Sequence, residues 1–200
     1  MNENCSTIIL SAGKSERMNS HKSFLYYDEI KKITFIEQLI HIYRKFKCSE
    51  IICVFNPENI TTAKKMNLNA KLICNKDYEQ GRFSSIKAGI KASNTNNYCF
   101  IQNIDNPFIS VQILEKIFKA KEQSTYISPR FLNKGGHPIL LSPEICTEIQ
   151  IENSKNLNLR DFLQLFKRKN VYINDYTILI NINTKKEFLK QKSKFNPKTI

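Results

Sequence analysis

Short runs of β-branched and other apolar residues alternate along the 200-residue chain with stretches whose apolar positions recur every three to four residues. That alternation predicts βαβ units and a mostly parallel sheet covered by helices. Strands are expected at 6–11, 50–55, 70–74, 98–102, 125–128, 138–141 and 176–181. Between the first two, Phe35, Ile36, Leu39, Ile40, Tyr43 and Phe46 make one helical stripe, opened by Thr34-Phe35-Ile36-Glu37 in the form of a capping box. Ile113, Leu114, Ile117 and Phe118 mark a second helix at 110–121. Further helices are expected at 84–92, at 143–149 behind Ser142, at 159–166, and at 185–192 behind Thr184-Lys185-Lys186-Glu187. No internal repeat and no low-complexity linker divides the chain. It reads as one domain over 1–200, with a basic tail after about Lys192.

Composition adds exclusions. Hydrophobic residues at 41% and charged residues at 24% suit one compact domain. The apolar runs, such as 51–55, fall far short of the ~20 residues of a membrane span. The amino terminus carries Glu3 and no basic region, so a cytoplasmic protein without a signal peptide is expected. None of the six cysteines forms a C-x-x-C pair, and Cys53, Cys74 and Cys99 sit inside apolar runs. All six are read as reduced core residues. The net charge of +13 raises the question of nucleic acid. From Lys155 onward, eleven basic residues face three acidic ones, but no aromatic ladder is interleaved with them. A solvated basic surface accounts for them, and a positive cleft for an anionic small-molecule substrate is the next reading.

Only five glycines occur, and four of them, Gly13, Gly81, Gly135 and Gly136, fall in loop-like places rich in polar residues. Gly13-Lys14-Ser15 resembles the end of a Walker A loop, but that motif requires glycine where Ile8 stands. There is no G-x-G-x-x-G either. What remains is a small-residue turn after a strand, followed by Lys14, Arg17 and Lys22. This is a phosphate loop or a surface turn with incidental basic residues.

Leu10, Ala12, Gly13, Ser15, Arg17, Met18 and Lys22 match a known signature, with Ser11 and Asn19 replacing alanine and glycine. The segment resembles the L-A-A-G-x-S-x-R-M-G-x-x-K of MobA-like nucleotidyltransferases. The resemblance implies an α/β fold: a single three-layer domain with a mostly parallel central sheet, of the Rossmann-like nucleotide-diphospho-sugar transferase (GT-A) type. It also implies that Leu10, Ser11, Ala12, Gly13 and Lys14 cradle a triphosphate, and that Arg17 and Lys22 act on its phosphates. The segment from Asn75 to Gly89 is similar to the family's N-x-x-x-x-x-G-x-x-S-S-L-x-x-G, implying base and ribose contacts from Asn75, Gly81, Ser84 and Ser85. Read without the family, a loop and a helix cap explain Gly81 and Ser84 equally.

Asn103-Ile104-Asp105-Asn106-Pro107 resembles L-G-D-Q-P, whose aspartate holds the catalytic Mg²⁺. A carboxylate at the carboxyl end of a central strand also lies where open α/β sheets bind ligands, although an Asx turn before Pro107 is the plain alternative. Gly136-His137-Pro138 is similar to the cytidylyltransferase branch, where Gly136 and His137 would border the acceptor site. Asn181 and Asn183 stand where many members carry D-I-D-T, so Asn183 is either a second metal ligand through its carbonyl oxygen or a helix cap.

The function so implied is Mg²⁺-dependent transfer of a nucleotide from a triphosphate, CTP by branch, to a small phosphorylated acceptor such as the molybdenum cofactor. Pyrophosphate is the other product. Nucleic acid and membrane are not expected partners, and oligomeric state is not legible. Ser11, Asn19, Ile104 and the two amides keep open a nucleotide-binding protein impaired in catalysis. A sugar-phosphate or alcohol-phosphate nucleotidyltransferase is a further alternative. The charge alone motivates a nucleic-acid module.

Overall fold

The computed structural model describes residues 2–14, 21–154 and 157–195. Its strands are β1 (Asn2–Ser11), β2 (Tyr26–Asp28), β3 (Ile33–Thr34), β4 (Cys48–Phe55), β5 (Lys71–Cys74), β6 (Tyr98–Asn103), β7 (Thr125–Phe131), β8 (Lys134–Gly135), β9 (Ile139–Leu141) and β10 (Lys167–Tyr172). The helices are α1 (Phe35–Lys45), α2 (Pro57–Lys65), α3 (Arg82–Lys91), α4 (Val111–Lys119), α5 (Pro143–Ile151), α6 (Leu159–Phe162) and α7 (Lys185–Phe195). The main sheet runs β10-β7-β9-β6-β1-β4-β5, with β8 paired to β7. β4 and β6 flank β1 in parallel and β5 extends β4, whereas β9 is antiparallel to both β6 and β7.

Strand alternation divides the core. Ile9, Cys53, Phe55 and Phe100 pack with α1 and α4 on one face, while Ile8, Ile52, Val54 and Ile101 pack with α3 and α5 on the other. Because both faces are covered, the central strands read as nearly continuous apolar runs. α1 begins with the expected capping box, Thr34 accepting from Glu37 N while Glu37 accepts from Thr34 N at 2.8 Å. α3 lies close on β1 because Gly89 has no side chain: a Cβ there would fall 2.5 Å from Ile8 Cγ2. Among the described residues, no helix is long and apolar enough to cross a membrane.

Several expectations are corrected. The strand expected at 176–181 is a 3-10 turn at Tyr176–Leu179 leading into extended chain. Asn106 explains this, since its Nδ2 donates to Thr177 O at 3.0 Å and also to Ile180 O, so a side chain satisfies carbonyls that a ladder would otherwise take. The sheet edge belongs instead to β10, whose Lys-Arg-Lys-Asn start hides it from an apolar pattern but suits an exposed edge. α2 has Ala63 as its sole buried residue and so leaves no periodic stripe; Asn56 caps it and Pro57 opens it. The helix expected at 159–166 is the short α6 followed by a 3-10 turn, and α7 extends to Phe195. Cys5, Cys53, Cys99 and Cys146 are buried, whereas Cys48 is half-buried and Cys74, at the end of β5, is exposed.

Candidate active site

β1 and β6 lie side by side and parallel, and the sheet grows from β1 toward β4 on one side and from β6 toward β9 on the other. The chain therefore departs in opposite directions from their carboxyl ends, the position at which open α/β sheets form a crevice. Ile104 N, just past β6, donates to Leu10 O of β1 at 3.2 Å and holds the two ends together. A cleft of about 690 Å³ opens there. Leu10, Ala12, Gly13 and Lys14 form one wall, Tyr78, Glu79, Gly81, Arg82 and Ser85 the opposite one, and Lys22, Asp105 and Asn183 the charged end.

Lys22, with 9% of its surface exposed, carries a nearly buried ammonium. Its Nζ donates to Asn183 Oδ1 at 3.0 Å and lies 3.9 Å from Asp105 Oδ2. Asp105 Oδ1 is buried and has no hydrogen-bond partner among the described residues. Burial pushes the Asp105 carboxyl above its ordinary range, with Lys22 and then Arg82 pulling it back.

Each member of this cluster is held from outside. Lys22 opens a 3-10 turn (Lys22–Phe24) whose Phe24 stacks on Phe55 at 6.3 Å, and the Ser23 hydroxyl bonds that of Ser11. Asp105 O accepts from Ile182 N at 2.7 Å, next to Asn183. Behind it, Tyr43 Oη donates to Gln102 Oε1 at 3.0 Å, and Gln102 Nε2 donates to Asn106 O at 3.0 Å. The cap of α7 is Thr184, whose Oγ1 accepts from Glu187 N at 3.2 Å while its own N donates to Glu187 Oε2 at 3.0 Å. Asn183 is thereby relieved of the capping role considered for it and turns its amide to Lys22.

On the opposite wall, Asn75 Nδ2 donates to Ser84 Oγ at 2.9 Å and to Ser85 Oγ at 3.0 Å, and Ser84 Oγ returns to the Asp77 and Gly81 carbonyls. Asn75 and Ser84 thus brace the turn from a hollow behind the cleft, and Ser11 is spent on Ser23; none of the three lines the cleft. Gly81 and Ser85 do line it. Lys14 reaches across the mouth to Glu79 Oε1 at 2.9 Å, an exposed pair that contributes little to stability. Arg17 lies outside the described residues. Arg82 occupies an unspecified position in the Gly81-to-Ser85 motif, so the pattern gave no reason to select it. It stands on the cleft wall, close enough to Asp105 to be attracted by it.

Gly136 and His137 are not in this cleft. Gly136 is a packing residue: a Cβ there would lie 2.7 Å from Ile178 O. His137 lines a second cavity of about 410 Å³, which shares Gly81 and Arg82 with the cleft. Burial, and then the Arg82 charge, hold the His137 imidazole down to about 4.

The strand-end turn from Leu10 to Lys14 and the Asp105 carboxylate thus share one cleft at the switch point, and comparison with known proteins names the family. Residues 7–171 match the MobA-like NTP transferase domain. The chain belongs to the MobA-like NTP transferase family. It is 30% identical over 190 residues to the molybdenum cofactor cytidylyltransferase of Escherichia coli, covering 94% of this chain and 95% of that one. It is also 30% identical over 158 residues to a probable molybdenum cofactor guanylyltransferase of Clostridium perfringens, covering 76% and 74% respectively. The fold is that of Rv0371c from Mycobacterium tuberculosis in complex with manganese, with a TM-score of 0.75, 14% identity and coverage of 95% and 98%. This MobA-like protein is a nucleotidyltransferase, working on a nucleoside triphosphate and a phosphorylated acceptor.

The depressed His137 fixes a pH dependence. Between pH 6.5 and about 4 the unfolded chain protonates this imidazole and the folded chain does not, so stability falls as pH falls through that window. Urea unfolding at pH 6.5 and 4.5 should show a smaller loss for His137→Gln than for the natural protein; equal losses would contradict it.

Proposed function

We propose that the cleft binds CTP with Mg²⁺ and transfers CMP to a phosphomonoester acceptor, with release of pyrophosphate. The buried Asp105 oxygen that has no partner among the described residues, beside Lys22 and Asn183, carries this reading. An unsatisfied carboxylate oxygen with an amide carbonyl nearby suits a cation that takes one or two protein oxygens and fills its remaining positions with water and phosphate. Asp105 and Asn183 would hold that ion. Bound there, Mg²⁺ would neutralise charge on the transferring phosphate.

The remaining chemistry belongs to the chain's own groups. An acceptor phosphate is already ionised at pH 7 and attacks the α-phosphorus in line without a general base. Catalysis then rests on position and charge. Backbone around Ala12 and Gly13 receives the triphosphate, Lys22 stabilises negative charge at the deep end, Lys14 acts at the mouth, and the family signature assigns Arg17 to the phosphates. Cytosine as the base is supported by Gly136-His137-Pro138 and by the near-complete coverage of the Escherichia coli relative. That relative's name also suggests molybdopterin as an acceptor to test.

Mixing the protein with CTP, Mg²⁺ and each of a panel of phosphomonoester acceptors, molybdopterin among them, should release pyrophosphate with at least one, and Asp105→Ala should abolish that release while leaving the circular dichroism spectrum unchanged. Full activity in the variant would reduce Asp105 to a turn residue. Because Thr184 caps α7, Asn183→Asp should spare the helix and add a charged metal ligand. The Mg²⁺ concentration for half-maximal activity should then fall. An unaltered titration would remove Asn183 from the metal site.

A further inference from the structure

The second cavity has a chemistry of its own. Tyr126, Ile139, Leu159 and Leu163 supply apolar walls, and none of the described residues lining it is acidic. Asn158 is engaged locally, accepting from Asp161 N at 3.0 Å and donating to the Asp161 carboxylate, and Gln80 is engaged through Nε2, which donates to Asp77 Oδ1 at 3.2 Å. The remaining polar groups are Arg82 at the seam with the nucleotide cleft, Arg160 farther along, the Tyr126 hydroxyl, and His137, whose Nδ1 is buried with no partner among the described residues. Among the described residues neither guanidinium has a carboxylate within 4.0 Å.

A ligand complementary to this lining is an anion with an apolar body. A pterin edge presents several amide and amino groups that need polar partners when removed from water, and this lining offers them no carboxylate and only a few neutral groups, whereas its apolar walls and two guanidiniums suit an apolar anion. Arg82 belongs to both cavities, so an anion on its guanidinium lies at the border with the triphosphate site. Its planar fork suits a phosphate better than a point charge does.

We propose that this cavity holds the acceptor's body, an alkyl or aryl group esterified to phosphate, and that Arg82 receives the phosphate and positions it toward the nucleotide. The proposal rests on the nucleotide reading of the adjoining cleft and narrows the acceptor to a class distinct from pterins.

Fluorine NMR of 4-fluorophenyl phosphate with the natural protein tests it, with glycerol 3-phosphate and pterin-6-carboxylate as competitors. The aryl phosphate should bind at least tenfold tighter than either competitor and should stay bound when MgCTP is added. Arg82→Gln should weaken it tenfold or more, Arg82→Lys should restore part of the loss, and Tyr126→Glu, which places a carboxylate in the cavity, should weaken it as well. Displacement by MgCTP, tighter binding of the pterin, or affinity unchanged in folded Arg82→Gln and Tyr126→Glu would overturn the proposal. If MgCTP fails to bind at all while aryl phosphate binding still depends on Arg82 and Tyr126, the nucleotide reading falls and the cavity assignment stands.

Discussion

Asp105 and Lys22 face each other at 3.9 Å where β1 and β6 end, Lys22 nearly buried and Asp105 half-buried. At an effective dielectric near 20, two unit charges about 4 Å apart attract by about 4 kcal/mol. Removing a carboxylate and an ammonium from water costs several kcal/mol for each ion. The attraction therefore does not cover the desolvation, and the direction of the Asp105 shift, set first by burial, agrees. One carboxylate oxygen has no partner among the described residues. A pair neutralised this incompletely gains from any added cation and phosphate, so its cost to the apo protein is recovered on binding.

Much of the surrounding structure serves to hold that pair. The buried chain of bonds from Tyr43 through Gln102 to Asn106 reaches the carbonyls of Thr177 and Ile180, anchoring the segment that delivers Asn183. The Ser11–Ser23 bond and the Phe24–Phe55 stack do the same for Lys22. These groups lie on one face of the sheet or at its end. α3 and the Asn75 network approach from the other face and supply the opposite wall with Gly81, Arg82 and Ser85. The fold thus brings a cationic loop and a carboxylate together only where its two directions of growth meet.

The parts of this arrangement legible in the sequence were those written in local pattern. Short continuous apolar runs gave β1, β4, β5 and β6, the stripes of α1 and α4 were continuous, and Leu10 to Gly13 and Asp105 stood at strand ends. Local pattern was silent where tertiary contacts decide. β10 is a strand because β7 pairs with it, despite its basic start, and 176–181 is not one because Asn106 takes its carbonyls. The sequence leaves Asn183 and Thr184 both as cap candidates, and only the bonds between Thr184 and Glu187 decide between them. Arg82 matters through its place between two cavities, which no spacing along the chain encodes.

The claim on which the rest stands is that triphosphate and metal meet at Asp105 and Asn183. Substituting Mn²⁺ and recording amide spectra of ¹⁵N-labelled protein with CTP tests it without turnover, since the paramagnetic ion broadens nearby resonances. The account predicts loss of the Asn103, Asp105 and Asn183 signals at substoichiometric Mn²⁺, with those of β10 and α5 left sharp. Sharp signals at Asp105 and Asn183 while others broaden would place the metal elsewhere and contradict it.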